Sequence, residues 1–223
     1  MNSSFQRARS PEHKELRRRM ILDAAARVLD RDGFNDTSLN AIAQEAGVVK
    51  SGLYRYFESR EEILLELMVS DVQELTAAFG ESIRGPMDLD DVAALIAGAF
   101  IDRPRLCLLT SRMASTLEHN ITGETIRMLK RRLNACSADM AEDIRRAIPH
   151  WQMDDCLQGL RMTYMLVAGL YPMSCPPAHV QAVLDEPEFC SGAPEFVVTV
   201  RHGAQVICRG LDTLARERTD AST

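Results

Sequence analysis

The sequence predicts an all-α chain, with a three-helix unit at the N-terminus and a longer helical body after it. Three observations predict this. Apolar residues recur at spacings of three and four along nearly all of the 223 residues, and runs of strict alternation are missing. Glycines and short polar clusters cut the first sixty residues into brief segments, whereas later segments run long before a break. Charge divides in the same way. The chain's net charge is -6, yet residues 1–60 hold 11 Lys and Arg against 8 Asp and Glu, a basic head on an acidic body.

The first helix is expected from about Pro11–Glu12, with an apolar stripe of Leu16, Met20, Ala24, Val28 and Leu29. It ends at the "DRDGF" run, where Gly33 suits a left-handed position. A second, short helix follows "NDTS", capped by Thr37 or Ser38, and runs through Ile42 and Ala43 to Ala46, where Gly47 ends it. A third begins near Ser51 and is broken at Glu58–Ser59. Ser59 with Glu62 then makes a capping-box pattern for a long fourth helix reaching about Phe79, before Gly80 and Gly85–Pro86. Five further helices are expected at about 89–101, 104–119, 123–148, 154–173 and 193–217, with Pro104 as a first-turn proline. The Pro-rich stretch 174–192 reads as a loop with one short helical turn. The implied division is a flexible basic arm 1–11, a head 12–60, a body 61–217 and a polar tail 218–223.

Several function classes are excluded at this level. No stretch of 18 apolar residues is present, and the N-terminus lacks an apolar leader, so a cytoplasmic protein without a membrane partner is expected. Cys107, Cys136, Cys156, Cys175, Cys190 and Cys208 are scattered, with no metal-ligand spacing, and no metal or cofactor is expected. No phosphate-loop, zinc-protease or serine-nucleophile signature occurs, and the five histidines are dispersed, which disfavours an enzyme.

Two short helices around a glycine turn make a helix-turn-helix, whose second helix enters a DNA major groove. The stretch "AGVVKSGLYRYFESREEIL" supplies what such a helix needs. Leu53 and Phe57 lie four apart and face inward toward Ile42 and Ala43. Lys50, Ser51, Gly52, Tyr54, Arg55 and Tyr56 remain for the outer face. Gly52 lets backbone approach the duplex, the tyrosines can donate to phosphates, and Arg60 is a further phosphate partner. Arg7 and Arg9 of the arm either reach a minor groove or stay in a solvated tail.

The run "TSLNAIAQEAGVVKSGLYRYFESREEIL" resembles the tetracycline-repressor family of bacterial transcription regulators, over roughly residues 17–66. The resemblance implies a homodimer that binds double-stranded operator DNA and releases it when a small, largely apolar effector enters the body. It places DNA contacts at Ser38, Asn40, Lys50, Ser51, Gly52, Tyr54, Arg55, Tyr56 and Arg60. Val49 and Arg60 depart from the commoner polar residue and lysine of the family. It further implies a four-helix bundle between subunits from the last two long helices. Leu160, Val167, Val200, Ile207, Leu211 and Leu214 are its expected contacts, with Gly203 permitting close approach.

Seven methionines between 113 and 173 are compatible with an adaptable apolar pocket. Met113, Leu117, Met128, Tyr164 and Met165 are its expected wall, with Arg112, His119 or Asn120 as polar anchors. Two other controls remain open: a protein partner at the body, or oxidation of Cys136 or Cys107, which lie near arginines.

Overall fold

The computed structural model describes residues 11–113, 115–189 and 193–221. The arm's Arg7 and Arg9, and also Cys190, lie outside them. Among the described residues, ten α-helices and one 3₁₀ turn occur in the order α1 Pro11–Asp36, α2 Leu39–Glu45, α3 Lys50–Leu53, α4 Arg60–Ser82, α5 Leu89–Ile101, α6 Pro104–Arg112, the turn Leu117–Asn120, α7 Gly123–Ala147, α8 Met153–Ser174, α9 Ala178–Leu184 and α10 Phe196–Asp220. Among the described residues there is no strand, and no helix is long and apolar enough to cross a membrane.

The breaks follow local chemistry. At Gly33 the backbone leaves helical geometry (φ 78°, ψ 176°) and α1 kinks before its last residues. Thr37 then turns its hydroxyl back onto the Gly33 carbonyl at 2.7 Å, which leaves Ser38 to cap α2 by accepting from the Ala41 N–H at 3.1 Å. Ser59 accepts from the Glu62 N–H and the Glu62 carboxylate accepts from the Glu58 N–H, so two orphan donors at the start of α4 are satisfied reciprocally. Gly80 does not interrupt α4. The helix continues to Ser82, and a Cβ on Gly80 would lie 2.8 Å from Asp143 Oδ2 of α7, so the glycine serves the α4–α7 approach. The expected 104–119 helix stops at Arg112 and resumes only as the 3₁₀ turn.

The head has its own core of Ile21, Ala25, Ile42, Ala43, Leu53, Phe57 and Ile63. Ile21 and Ala25 provide the inward stripe of α1, and Leu16 and Met20 are instead exposed. α4 leaves the head through Ile63 and becomes the central helix of the body, packed on α1, α6 and α7. α10 packs against α5 and α8. A separate apolar cluster lies where these helices meet α6, built from Ala97, Cys107, Val167, Leu170, Val200 and Ala204.

Candidate nucleic-acid interface

The turn between α2 and α3 is fixed by Gly47 at φ 63°. Its N–H donates to Gln44 O at 3.1 Å and the next N–H, of Val48, to Ala43 O at 2.9 Å. That pair of bonds ends α2 in a left-handed residue that a side chain would strain. The chain emerges with Lys50 and Ser51 exposed and Leu53 wholly buried. Regular helix ends at Leu53, earlier than the expected end before Glu58. Gly52 and the aromatic run have poor helix propensity. The backbone nevertheless stays curled, because the Tyr56 and Phe57 N–H groups both donate to Leu53 O, at 2.8 and 3.0 Å.

Ser38, Asn40, Lys50, Ser51, Tyr54 and Arg55 are exposed. Gly52 and Tyr56 are half-buried, the Tyr56 side chain packing on the head core. No packing in the chain calls for glycine at 52: an added Cβ would meet only Val49 Cγ2 at 3.7 Å and Val48 Cβ at 4.0 Å. Arg60 is placed differently from a free phosphate ligand. Its guanidinium donates to the carbonyls of Thr37 and Phe34, contacts Glu61, and stacks 4.6 Å from the Phe34 ring centroid. It ties the end of α1 to the start of α4.

Cations in the head therefore divide into two sets. Arg18, Arg27, Arg31 and Arg60 are held by carboxylates or carbonyls. Among the described residues, Lys14, Arg17, Lys50 and Arg55 have no carboxylate partner. Lys14, Arg17 and Arg55 line one groove with Leu16, Met20 and Tyr56. Sequence reading counted Lys14 and Arg17 only as head charge. The signal that places them together is their three-residue spacing, one helical turn, on a face that the true core stripe of α1 avoids.

Comparison with known proteins decides the family. Residues 66–215 match the model described as "Tetracyclin repressor-like, C-terminal domain", and residues 21–67 match "Bacterial regulatory proteins, tetR family". The chain belongs to the tetracycline-repressor (TetR) family. It is a transcriptional regulator of the DNA-binding, repressor type. The chain is 27% identical to the transcriptional regulator BetI of Agrobacterium fabrum over 158 residues, 70% of this chain and 75% of that protein. It is 36% identical to the regulator YfiR of Bacillus subtilis over 63 residues, 28% of this chain but only 31% of that relative's length. In fold it is similar to Thermus thermophilus FadR, solved in complex with lauroyl-CoA, with a TM-score of 0.59, 15% identity, and coverage of 87% of this chain and 92% of that one.

The body of this TetR-family chain places the expected effector residues apart. Met113 and Leu117 are buried, and Tyr164 O–H donates to Met113 Sδ at 3.7 Å. Met128 and Met165 point outward, 45% and 55% exposed, so neither belongs to an interior wall. His119 and Asn120 are exposed on the 3₁₀ turn. Arg112 is half-buried near the Phe34 ring, with its Nε lacking a partner. The space beside Met113 is bounded by Leu65, Met68, Leu129 and Leu133, and it is a cavity of only about 10 Å³, room for one water.

The expected dimer contacts also divide. Val167, Val200 and Leu211 are buried within the chain, because the stripe they form is the one that seals α8 and α10 onto the core. Leu160 and Ile207 are half-buried against the same core, and Leu214 is exposed. Gly203 serves the intrachain α8–α10 contact, since a Cβ there would strike Leu166 Cδ2. The outward stripes carry other residues: Met162, Met165 and Met173 on α8, and Val198, Val206 and Leu214 on α10.

Thiol chemistry is suppressed at the two expected positions. Cys107 is buried, donates to Phe100 O at 3.2 Å, and is pushed up to about 12 by desolvation. Cys136 is buried as well. Neither is exposed, as the thiol of a redox sensor must be.

Proposed function

We propose that the chain is a homodimeric repressor whose two heads read half-sites of an operator and whose body releases it when an effector binds. The observation that carries the DNA reading is the separation of cations, with structural arginines paired and Lys14, Arg17, Lys50 and Arg55 left for phosphates around the α3 turn. Ser38, Asn40, Ser51, Gly52, Tyr54 and Tyr56 complete the surface. Arg60 acts as a brace and not as a first contact. The subunits meet through the outward stripes of α8 and α10, with Met165, Val206 and Leu214 at their centre in place of Val167, Val200 and Leu211.

The effector is small and largely apolar, and it enters beside Met113, Leu117 and Tyr164, between α4, α7 and the 3₁₀ turn. A fold neighbour holds lauroyl-CoA, which supports the capacity of this architecture for a long apolar ligand. Entry must open the helices, because drug-sized ligands occupy roughly 300–1,000 Å³. Such opening supplies the differential affinity that shifts the heads. The tight interior also favours a second reading, a protein partner acting on the body surface.

Selection of duplexes from a random-sequence pool by the purified chain tests the first claim. Bound sequences should converge on an inverted repeat. Failure to converge at low salt overturns the reading. For the second claim, acyl-CoA thioesters of graded chain length should weaken binding to the selected duplex. A thioester that binds the body yet leaves duplex affinity unchanged counts against effector release.

A further inference from the structure

Glu66 sits on α4 with its side chain 5% exposed and carries a cation on each oxygen. Oε1 takes Arg18 Nη2 of α1 at 3.1 Å, and Oε2 takes Arg132 Nη1 of α7 at 2.6 Å. Arg132 is steadied by a second bond, from Nη2 to Gln73 Oε1 at 3.1 Å. Arg18 extends the chain of contacts into the head. Its Nη1 donates to the Tyr56 carbonyl at 2.8 Å, and its guanidinium lies 4.3 Å from the Phe57 ring centroid. An unbroken path of charge-assisted bonds thus runs from α7 through α4 and α1 to the segment that presents Tyr54 and Tyr56.

A buried ion pair is a poor source of net stability, since apolar residues of similar size often do as well or better. It does fix geometry. A guanidinium is a rigid planar fork, so a displacement at one of its nitrogens is felt at the other. We propose that Glu66 is a positioning residue for DNA recognition, relaying the position of α7 through Arg18 to the Tyr54–Tyr56 turn. This proposal rests on the DNA-binding reading of the head. It adds a route by which the body sets the conformation of the reading turn without touching the duplex.

A second link supplies the comparison. Arg105 of α6 pairs bidentately with Asp71 of α4 at 2.8 and 2.9 Å and reaches Asp30 of α1 at 2.8 Å. It too joins body to head, with Arg105 anchored by a buried α4 carboxylate and itself reaching α1, but it lies off the path to Tyr56.

The test uses the full chain and the duplex it selects. Arg132→Ala removes the outer, partly exposed end of the relay and leaves Glu66 paired to Arg18. It should weaken duplex binding about tenfold, within the usual range of coupling between sites. The salt slope should stay unchanged, because no phosphate contact is lost. Amide exchange at residues 53–57 should rise, and Arg132→Lys, which keeps a charge for Glu66 but not the second bond to Gln73, should restore part of both. Arg105→Ala should leave exchange at 53–57 close to wild type. Duplex affinity within about twofold of wild type for Arg132→Ala, with unaltered exchange, overturns the relay. An equal rise from Arg105→Ala does so as well, since it reduces the effect to general loosening. If no duplex is ever selected, the exchange measurement still decides the relay, so the two failures are distinguishable.

Discussion

Gly52 separates the demands of folding from those of recognition. A Cβ there meets nothing closer than 3.7 Å, so Gly52→Ala should fold as well as wild type or slightly better. If the missing side chain exists to admit a duplex, the same variant should lose operator affinity. Thermal unfolding and a binding titration read the two effects, and unchanged binding would remove Gly52 from the interface. Lys50→Ala should flatten the plot of log affinity against log salt by about one unit of slope. The thiols make a prediction with a definite sign. Burial pushes Cys107 and Cys208 up to about 12 from the ordinary value of 9.0. Between those values the unfolded chain has lost protons that the folded chain keeps, so stability falls as pH rises above 9. Cys107→Ala should remove about 1.4 kcal/mol per pH unit from that slope in denaturant titrations at pH 9 to 11. Residue-level faces were legible where spacing alone decides them. Leu53 and Phe57 point inward because four residues make one turn. Arg60 was not legible: whether a guanidinium meets a phosphate or a carbonyl depends on Phe34 and Thr37, which come to it only through the fold.

Helix ends were legible where one residue type forces them, as at Ser38, Gly47 and Ser59, and less so where propensity merely fades, as after Leu53. Gly47→Ala tests the forced case. Holding alanine at φ 63° costs about 1–2 kcal/mol. In a chain of this size that lowers the melting temperature by about 2–4 °C per kcal/mol. The damage should concentrate in the head, so amide exchange should rise across α2 and α3 and stay flat in α7 and α10. For α8 and α10 the expected subunit contact was one apolar stripe on each helix, and periodicity alone does not tell a stripe that faces the core from exposed apolar residues beside it. The structure separates them by burial: Val167 and Val200 are 0% exposed, whereas Met165 and Val206 are 55% and 56% exposed. Gly203 looked like an interface residue for the same reason, since a small residue between packed helices looks identical whether the second helix belongs to the same chain or to another.

At the scale of the whole molecule, two parts of opposite charge have opposite tasks, and their connection is where sequence reasoning has least to work with. The basic head was visible in the count of cations, but the division of those cations into braces and free groups needed three-dimensional partners. The outward stripes of α8 and α10 lead to the last prediction. Each head offers a small reading surface, and a repressor gains affinity by placing two of them on one duplex. Linking two binding events in this way raises apparent affinity by about 10²–10⁴ without any new contact. Val206 lies outside the core, so Val206→Glu should leave the fold intact while setting a charge at the centre of the proposed subunit contact. Sedimentation should show a monomer with unchanged helicity. That monomer should bind a full inverted repeat at least about a hundredfold more weakly than wild type, yet bind an isolated half-site as well as wild type does. A variant that stays dimeric would move the interface elsewhere. A monomer that still binds the full site tightly would mean that one head suffices, and pairing of heads would lose its role in recognition.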